Sequence, residues 1–368
     1  MLDDNSLLHV FYLYRPFLSG EDQDDDARLF GGDEIKTRGR WWYGPSHVCQ
    51  RWRSIIFGSA SYLGVSLVCT FGTPVADMLA HSPPLPLIVH YATKGRDITT
   101  DDEEGIFFAL KQRDRVLCVR LSTLDTSLLE KIIAVMDEEF PILEYLTILS
   151  PNEDDSTILV ISETLQAPHL RLLTLRGFAL PMGSRLLTTA VSLVTLYLIM
   201  VHPSTYFYPN ALVQCISLLP QLEMFGIYFK FSTLNRDVEM QLTHAPITAP
   251  VTLLNLHYFQ FHGVSAYLEA LVHRITAPRL EKLNIEFFNQ ITFSVPCLLE
   301  FMNTTENLRF DSATFRFFDE HVEVTVHHHG KTGYAFGMGI FCWHLDWQIS
   351  SMAQISNSLS QMFSALEH

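Results

Sequence analysis

Leu143-Glu144-Tyr145-Leu146-Thr147-Ile148 and, from residue 170 onward, Leu170-Arg171-Leu172-Leu173-Thr174-Leu175 repeat one phrase: apolar, two variable, apolar, one variable, apolar. The last three positions alternate, which is the signature of a strand with one buried face. The same phrase is met upstream as Val116-Val119-Leu121. Downstream it returns as Leu193-Leu196-Leu198, Leu222-Phe225-Ile227, Leu256-Phe259-Phe261 and Leu280-Leu283-Ile285. A weaker copy is Thr305-Leu308-Phe310, and Cys342-Leu345-Trp347 is a candidate ninth.

The starting positions 116, 143, 170, 193, 222, 256 and 280 are 27, 27, 23, 29, 34 and 24 residues apart. Leucine-rich repeats recur every 20 to 29 residues or so, about one strand and one helix per unit. Helical patterns do lie between the strands, as in Leu128-Leu129-Ile132-Ile133-Val135-Met136 and Leu212-Val213-Ile216-Leu218-Leu219. A single strand and helix cannot bury both of their apolar faces, but a stack of such units can. The expectation for residues 113–368 is therefore an α/β, leucine-rich-repeat-like solenoid, a curved parallel sheet backed by helices. Four of the phrases are led in by proline: Phe140-Pro141, Ala167-Pro168, Leu219-Pro220 and Ala277-Pro278. Proline lacks the N–H a ladder needs, so it fits just ahead of a strand.

Two regions precede the array. Residues 63–112 read as a transition and first irregular repeat, with a short strand, a proline-rich turn and a helix. Residues 1–62 read as helical, interrupted by a polar, acidic, glycine-containing insertion at about 19–40. Leu7, Leu8, Phe11 and Tyr12 predict a first helix stopped by Pro16. Val48, Cys49, Trp52, Ile55 and Ile56 predict a second, capped by Ser46 and ended at Gly58. At the other end, Ile355, Leu359, Met362, Phe363 and Leu366 predict a terminal helix that covers an open edge of the array, unless the chain is a shortened gene product.

Composition narrows the function classes. The chain has 368 residues, 48% hydrophobic, and a formal net charge of −15. There is material for a large core and no basic stripe of the kind that displaces counterions from nucleic acid. The acidic runs at Glu21–Asp26, Asp101–Glu104, Asp137–Glu139 and Glu153–Asp155 read as solvated loops. Six dispersed cysteines without a C-x-x-C pair argue for a reducing, intracellular setting, cytoplasmic or nuclear, and against structural zinc. No basic leader with an apolar core and no long apolar run suggests membrane targeting or a membrane partner.

No catalytic constellation emerges. Phosphate-binding and nucleophile-elbow motifs are absent from the sequence, and Gly337-Met338-Gly339 is too short to cradle a phosphate. His327-His328-His329, near Glu320, His321 and Glu323, reads as an exposed polar loop, because adjacent side chains of extended backbone point apart. Cys49 and His47, two apart on a helix, would face different directions. The expectation is no enzyme, no metal and no cofactor. The better candidate is a binding surface. Residues between the buried positions of each strand should line the concave face of the array: Arg120, Tyr145, Thr147, Thr174, Arg176, Tyr197, Tyr228, Tyr258, Gln260, His262, Lys282, Asn284, Glu286, Arg309 and Asp311. Tyrosine and arginine are favoured where proteins bind proteins.

Ser46-His47-Val48-Cys49-Gln50-Arg51-Trp52-Arg53-Ser54-Ile55 resembles the V-C-x-x-W-x-x-I signature of F-box motifs. Leu2-Asp3-Asp4 through Leu7-Leu8-His9-Val10-Phe11-Tyr12-Leu13 resembles their opening helix, and the alanine–proline–x–leucine phrases look like those of basidiomycete F-box proteins. The likeness extends over essentially the whole chain. Asp3 stands where the family usually has proline, the acidic insertion splits the motif, and Phe178, Lys230 and Phe288 occupy places of the usual asparagine ladder. The resemblance implies a non-catalytic substrate-receptor subunit of a cullin-type ubiquitin ligase. It would dock a Skp-type adaptor through Leu7, Leu8, Val10, Phe11, Val48, Cys49, Trp52 and Ile55, and hold an unidentified client protein on its repeats. A scaffold that keeps the repeats but has lost the adaptor is the alternative.

Overall fold

The computed structural model describes residues 2–15, 41–92, 96–122, 124–150, 158–181, 183–201, 207–230, 250–288, 295–308, 312–318, 321–327 and 336–341. The acidic insertion, Arg309, Asp311, the candidate ninth repeat and the terminal helix lie outside these residues, as do His328 and His329. The chain divides into two compact units, Met1–Glu153 with Thr164–Leu170, and Asp154–Glu163 with Arg171–His368. Both are α/β and built on parallel strands. No helix among the described residues is long and apolar enough to cross a membrane.

The first unit opens with helices α1 (Asp4–Tyr14), α2 (Tyr43–Ser46), α3 (Gln50–Gly58) and α4 (Ala60–Leu63). Four strands follow, β1 (Leu67–Cys69), β2 (Leu87–Tyr91), β3 (Val116–Ser122) and β4 (Tyr145–Leu149), each parallel to the next. Between them run α5 (Val75–His81), α6 (Thr100–Leu110) and α7 (Thr126–Val135). Cys69 pairs with Val89, Val89 with Val119, and Val119 with Leu146, so one buried row crosses all four strands. The repeat thus begins within 63–112, as the expected first irregular repeat, but with two strands and two helices in place of one of each. The phrase is hidden there because the ladder slips by one residue between Leu87 and Ile88. That slip turns apolar-x-x-apolar into the plain alternation Leu87, Val89, Tyr91.

The acidic run at Asp101–Glu104 is not wholly solvated. Asp102 is buried and completes a capping box with Thr99 at the start of α6. It also accepts a 2.7 Å hydrogen bond from the Gly72 N–H, across the turn after β1. Burial alone would raise its pKa, but the Gly72 and Thr99 hydrogen bonds and nearby Arg96 outweigh that and hold it below its usual value. A helix N-terminus is one of the few places where a buried carboxylate finds enough donors. Asp137 and Glu138, by contrast, are exposed and pair with Arg113.

The second unit contains β6 (Leu172–Arg176), β8 (Thr195–Val201), β9 (Met224–Phe229), β11 (Tyr258–Gly263) and β13 (Lys282–Phe288), parallel and adjacent in that order. Short strand pairs accompany them: β5 (Leu159–Val160) with β7 (Phe178–Ala179), and β10 (Val251–Thr252) with β12 (Ile275–Thr276). The helices are α8 (Arg185–Thr189), α9 (Pro209–Ser217), α10 (Ser265–Val272) and α11 (Pro296–Thr304). The core face is aromatic where other strands use leucine. Phe225 stacks on Phe259 at 5.4 Å, and Phe229 and Phe261 meet Tyr267 of α10, whose hydroxyl donates to the Phe207 carbonyl at 2.8 Å. Glu269 of α10 accepts from the N–H groups of Cys297 and Leu298 and so closes the open end of α11.

A single turn introduces each repeat strand. The N–H groups of Leu143, Leu170, Leu193, Leu222, Leu256 and Leu280 donate to the carbonyls three residues back, on Phe140, Ala167, Ala190, Leu219, Leu253 and Ala277. The prolines occupy the second place of these turns, where their fixed φ already matches a β-turn. This is a stronger reason for proline than its missing donor. The second unit adds a small side-chain ladder here: Asn255 donates to the Pro220 carbonyl and Arg279 to Asn255.

The array does not end as the sequence suggests. Leu308 closes a short 3₁₀ turn rather than entering a strand. Beyond it, β14 (Ser312–Phe317), β15 (His321–His327) and β16 (Phe336–Phe341) form an antiparallel set, and β16, the last in sequence, lies parallel against β13. His321–His327, part of the expected histidine loop, is therefore strand, and so is Gly337-Met338-Gly339.

Candidate functional site on the sheet of the second unit

Parallel register converts the strand sequences of the second unit into a grid. On the face away from the phenylalanine core, Tyr228 pairs with His262 and His262 with Glu286, one residue from each of three strands. Two residues back, Gly226, Gln260 and Asn284 form the next row, and Met224, Tyr258 and Lys282 the one after. Side chains of in-register parallel strands stand side by side on one face. The expected residues of β9, β11 and β13 are thus brought together.

The grid has internal order. The Tyr258 hydroxyl lies 2.8 Å from the Gln260 side-chain oxygen and donates to it. Tyr228 and His262 meet edge to face with 6.0 Å between ring centres. His262 Nδ1 lies 3.6 Å from a Glu286 carboxylate oxygen. Burial lowers the His262 pKa to about 4 and raises that of Glu286. At neutral pH the His262 imidazole is therefore uncharged, and the pair falls short of an ion pair.

Exposure departs from expectation at several places. Lys282 is exposed, and Tyr228, Tyr258, Gln260, His262, Asn284 and Glu286 are partly exposed. Thr174 and Tyr197 are buried, so they are not free contact surface. Tyr197 is buried because Gly226, its partner on β9, leaves room for the ring: a Cβ on Gly226 would lie 2.3 Å from Tyr197 Cδ1. Gly226 is the residue of this face that the sequence reading passed over. Its signal is a glycine inside the apolar run Met224-Phe225-Gly226-Ile227, at a place where neighbouring strands carry tyrosine or glutamine. Arg176 is half-buried at the end of β6. In the first unit, Arg120 and Tyr145 are half-buried and Thr147 is buried.

The helices of the first unit carry the second group of expected residues. Asp3 caps α1, accepting from Ser6 N–H at 2.9 Å. Arg51 of α3 ties back to Asp4 and to the Leu2 carbonyl. Leu7 and Phe11 point inward, with Phe11 2% exposed and set edge-on to Trp52 at 5.1 Å. Trp42 is buried and donates to the Ser66 carbonyl at 3.0 Å, which fastens the helices to the chain entering β1. Leu8 and Ile55 lie on a groove of about 650 Å3 rimmed by Asp4, Gln50, Arg51 and Ser54.

The second helix is not the continuous one expected. Ser46 donates to the Tyr43 carbonyl and belongs to the preceding turn, while Cys49 is the cap, its sulfur 3.5 Å from the Trp52 N–H. The short α2 ends at Ser46, and the chain restarts as α3 at Gln50. Val48 consequently leaves the helix and stands 61% exposed. Val10, Leu13 and Tyr14 of α1 are exposed too, Leu13 by 70%.

One thiol–imidazole pair escaped the sequence reading. Cys297 Sγ lies 3.9 Å from His273 Nδ1 beside a cavity of about 250 Å3. Burial, Glu269 and Glu300 push the thiol up to about 11, so it stays protonated and weakly nucleophilic at neutral pH. Buried Cys69 and Cys118 are pushed up to about 12 and about 11 by the same desolvation. Among the described residues no group of three or more histidine, cysteine or acidic side chains could hold a metal ion. Compared with family models, with curated proteins and with solved structures, the chain matches none.

Proposed function

We propose that this chain is a non-catalytic substrate receptor of a cullin-type ubiquitin ligase. Its N-terminal helices form an F-box-like motif that docks a Skp-type adaptor, and its leucine-rich-repeat-like strands hold a client protein. The observation that carries this reading is the concentration of exposed apolar side chains in α1 and around α2–α4. Leu2, Val10, Leu13, Tyr14, Tyr43, Val48 and Tyr62 are all exposed within the first 64 residues. Isolated exposed apolar residues are ordinary, but several on one small helical element favour a covering partner.

The alternative, a scaffold that has lost its adaptor, is favoured by one specific feature. Leu7 and Phe11, which the family resemblance assigns to the adaptor, are spent on packing against the chain itself. The two readings separate in a pull-down of the purified chain with a fungal Skp-type adaptor, alongside a Val10→Asp, Val48→Asp variant. Both positions are exposed, so this variant keeps its fold. Capture of the wild type and loss in the variant supports the receptor. A folded wild-type chain that captures no adaptor leaves the scaffold.

A further inference from the structure

The hydrogen-bonding groups of the second-unit grid are unevenly spent. Tyr258 and Gln260 of β11 pair with Lys282 and Asn284 of β13, so four polar side chains form a two-by-two block on one face. Lys282 is exposed, and Tyr258, Gln260 and Asn284 are each partly exposed, so the block is reached by solvent at every corner. It is bordered by Met224 and Gly226 on β9, and by Gly337 opposite Asn284 on β16. A thioether and two glycines bring no strong side-chain acceptor to its edges.

What the block offers is donors. Tyr258 gives its hydroxyl hydrogen to the Gln260 oxygen at 2.8 Å, which leaves the Gln260 amide to present its NH2 group. Among the described residues no hydrogen bond engages the Asn284 amide, and no ion pair engages the Lys282 ammonium. Three donor groups, one of them charged, therefore stand unspent on neighbouring strands about 4.8 Å apart. Glu281, next to Lys282 in sequence, alternates to the other face and lies 4.0 Å from His257. Along β13 the next charge on the same face is Glu286, beyond Asn284 and 3.6 Å from His262. Four residues of strand set it roughly 13 Å from Lys282.

We propose that this block binds the carboxylate of an acidic side chain on an extended client segment. Lys282 supplies the counter-charge, and the NH2 groups of Asn284 and Gln260 supply hydrogen bonds. An ionised carboxylate only accepts, and hydrogen bonds to it are among the stronger ones. Glu286 confines the site to the Lys282 end, since it repels an acid placed further along β13. The proposal rests on the reading that this face holds client proteins, and deepens it by naming the group recognised. The net charge of −15 repels acidic peptides in general. A preference for acid must therefore come from these local donors.

The test probes the full chain with immobilised libraries of random 12-residue peptides whose central residue is fixed as glutamate, glutamine or arginine. The glutamate library should retain about fivefold more wild-type chain than the glutamine library, the gain of a charged acceptor over its neutral isostere. Lys282→Gln should lose that preference or reverse it, because only the overall repulsion is left. Asn284→Leu should weaken it with the charge still in place. Neither residue is buried, so both variants should melt with the wild type, which separates lost binding from lost fold. Equal retention by the glutamate and glutamine libraries overturns the proposal. So does a preference that survives either substitution undiminished, or a stronger retention by arginine, which would point to Glu286 instead. Retention by no library overturns the site together with the reading that this face holds clients. The adaptor pull-down reads α1 and α3, so adaptor capture without a glutamate preference sinks only this site.

Discussion

The helices that open the first unit and the strands of the second unit use apolar side chains in opposite ways. Strands β6, β8, β9 and β11 of the second unit bury Leu173, Leu175, Leu196, Leu198 and the phenylalanines of their core face. Phe225, Phe259, Phe261 and Phe287 are all buried. The opening helices bury Leu7, Phe11, Trp42, Ile56 and Leu63 but leave Val10, Leu13, Tyr14 and Val48 outside. A strand in an array gains a partner on each side from the chain itself, whereas α1 packs one face on Trp52 and Tyr62 and leaves Val10 and Leu13 exposed. The buried rows of the strands are spent on the fold, whereas Val10, Leu13 and Val48 contribute little to any core.

Four experiments would break or sharpen that contrast. The largest effect belongs to Phe225→Ala, which removes a ring stacked on Phe259 in a fully buried row. Unfolding by denaturant should show a loss of about 3–5 kcal/mol, and a loss below about 1 kcal/mol would mean that the row is not the core.

Next comes acid. The His262 imidazole titrates near 6.5 when unfolded and near 4 when folded. Between those values only the unfolded chain takes up the proton, so stability is full above pH 6.5, falls as the pH drops to 4, and then levels. Glu286, 3.6 Å away, opposes the shift. The expected fall is about 1–3 kcal/mol, and His262→Gln should flatten that part of the pH profile.

Gly226→Ala tests the close approach of Tyr197. The new methyl has nowhere to go unless the ring moves, and the expected loss is about 1–3 kcal/mol. Because the conflict is with one ring, the double variant with Tyr197→Ala should cost less than the two single losses combined. Strict additivity in a double-mutant cycle would place the strain elsewhere.

The smallest stability effect is the most telling for function. Leu13→Ser with Val48→Ser should change unfolding by no more than about 0.5 kcal/mol for each site, the usual scale for exposed positions. The same variant should weaken adaptor capture. A substantial loss of stability would show that these side chains serve the fold instead, and would close the contrast.

The sequence by itself determined the repeating strand, because an apolar period of two beside a turn is a local property that needs no knowledge of neighbours. Leu146 and Ile148, Phe225 and Ile227, and Leu283 and Ile285 are buried where that period puts them. Net charge and composition likewise set the broad class of surface without any coordinates. Tertiary structure alone decided where the periodic signal stops. Residues 63–92 hold two strands where the pattern showed one, β2 being out of phase with the repeat by a one-residue slip, and β16 reaches β13 only through an antiparallel return. It also decided exposure. Alternation tells which residues leave the core face, but whether Tyr197 remains accessible depends on a glycine 29 positions away that lets its ring lie down. Likewise, Gln260 and Asn284 become neighbours only by strand pairing across the 20-odd residues between them. Local pattern is written in the order of residues; a site is written in register, which the chain acquires only when its strands lie side by side.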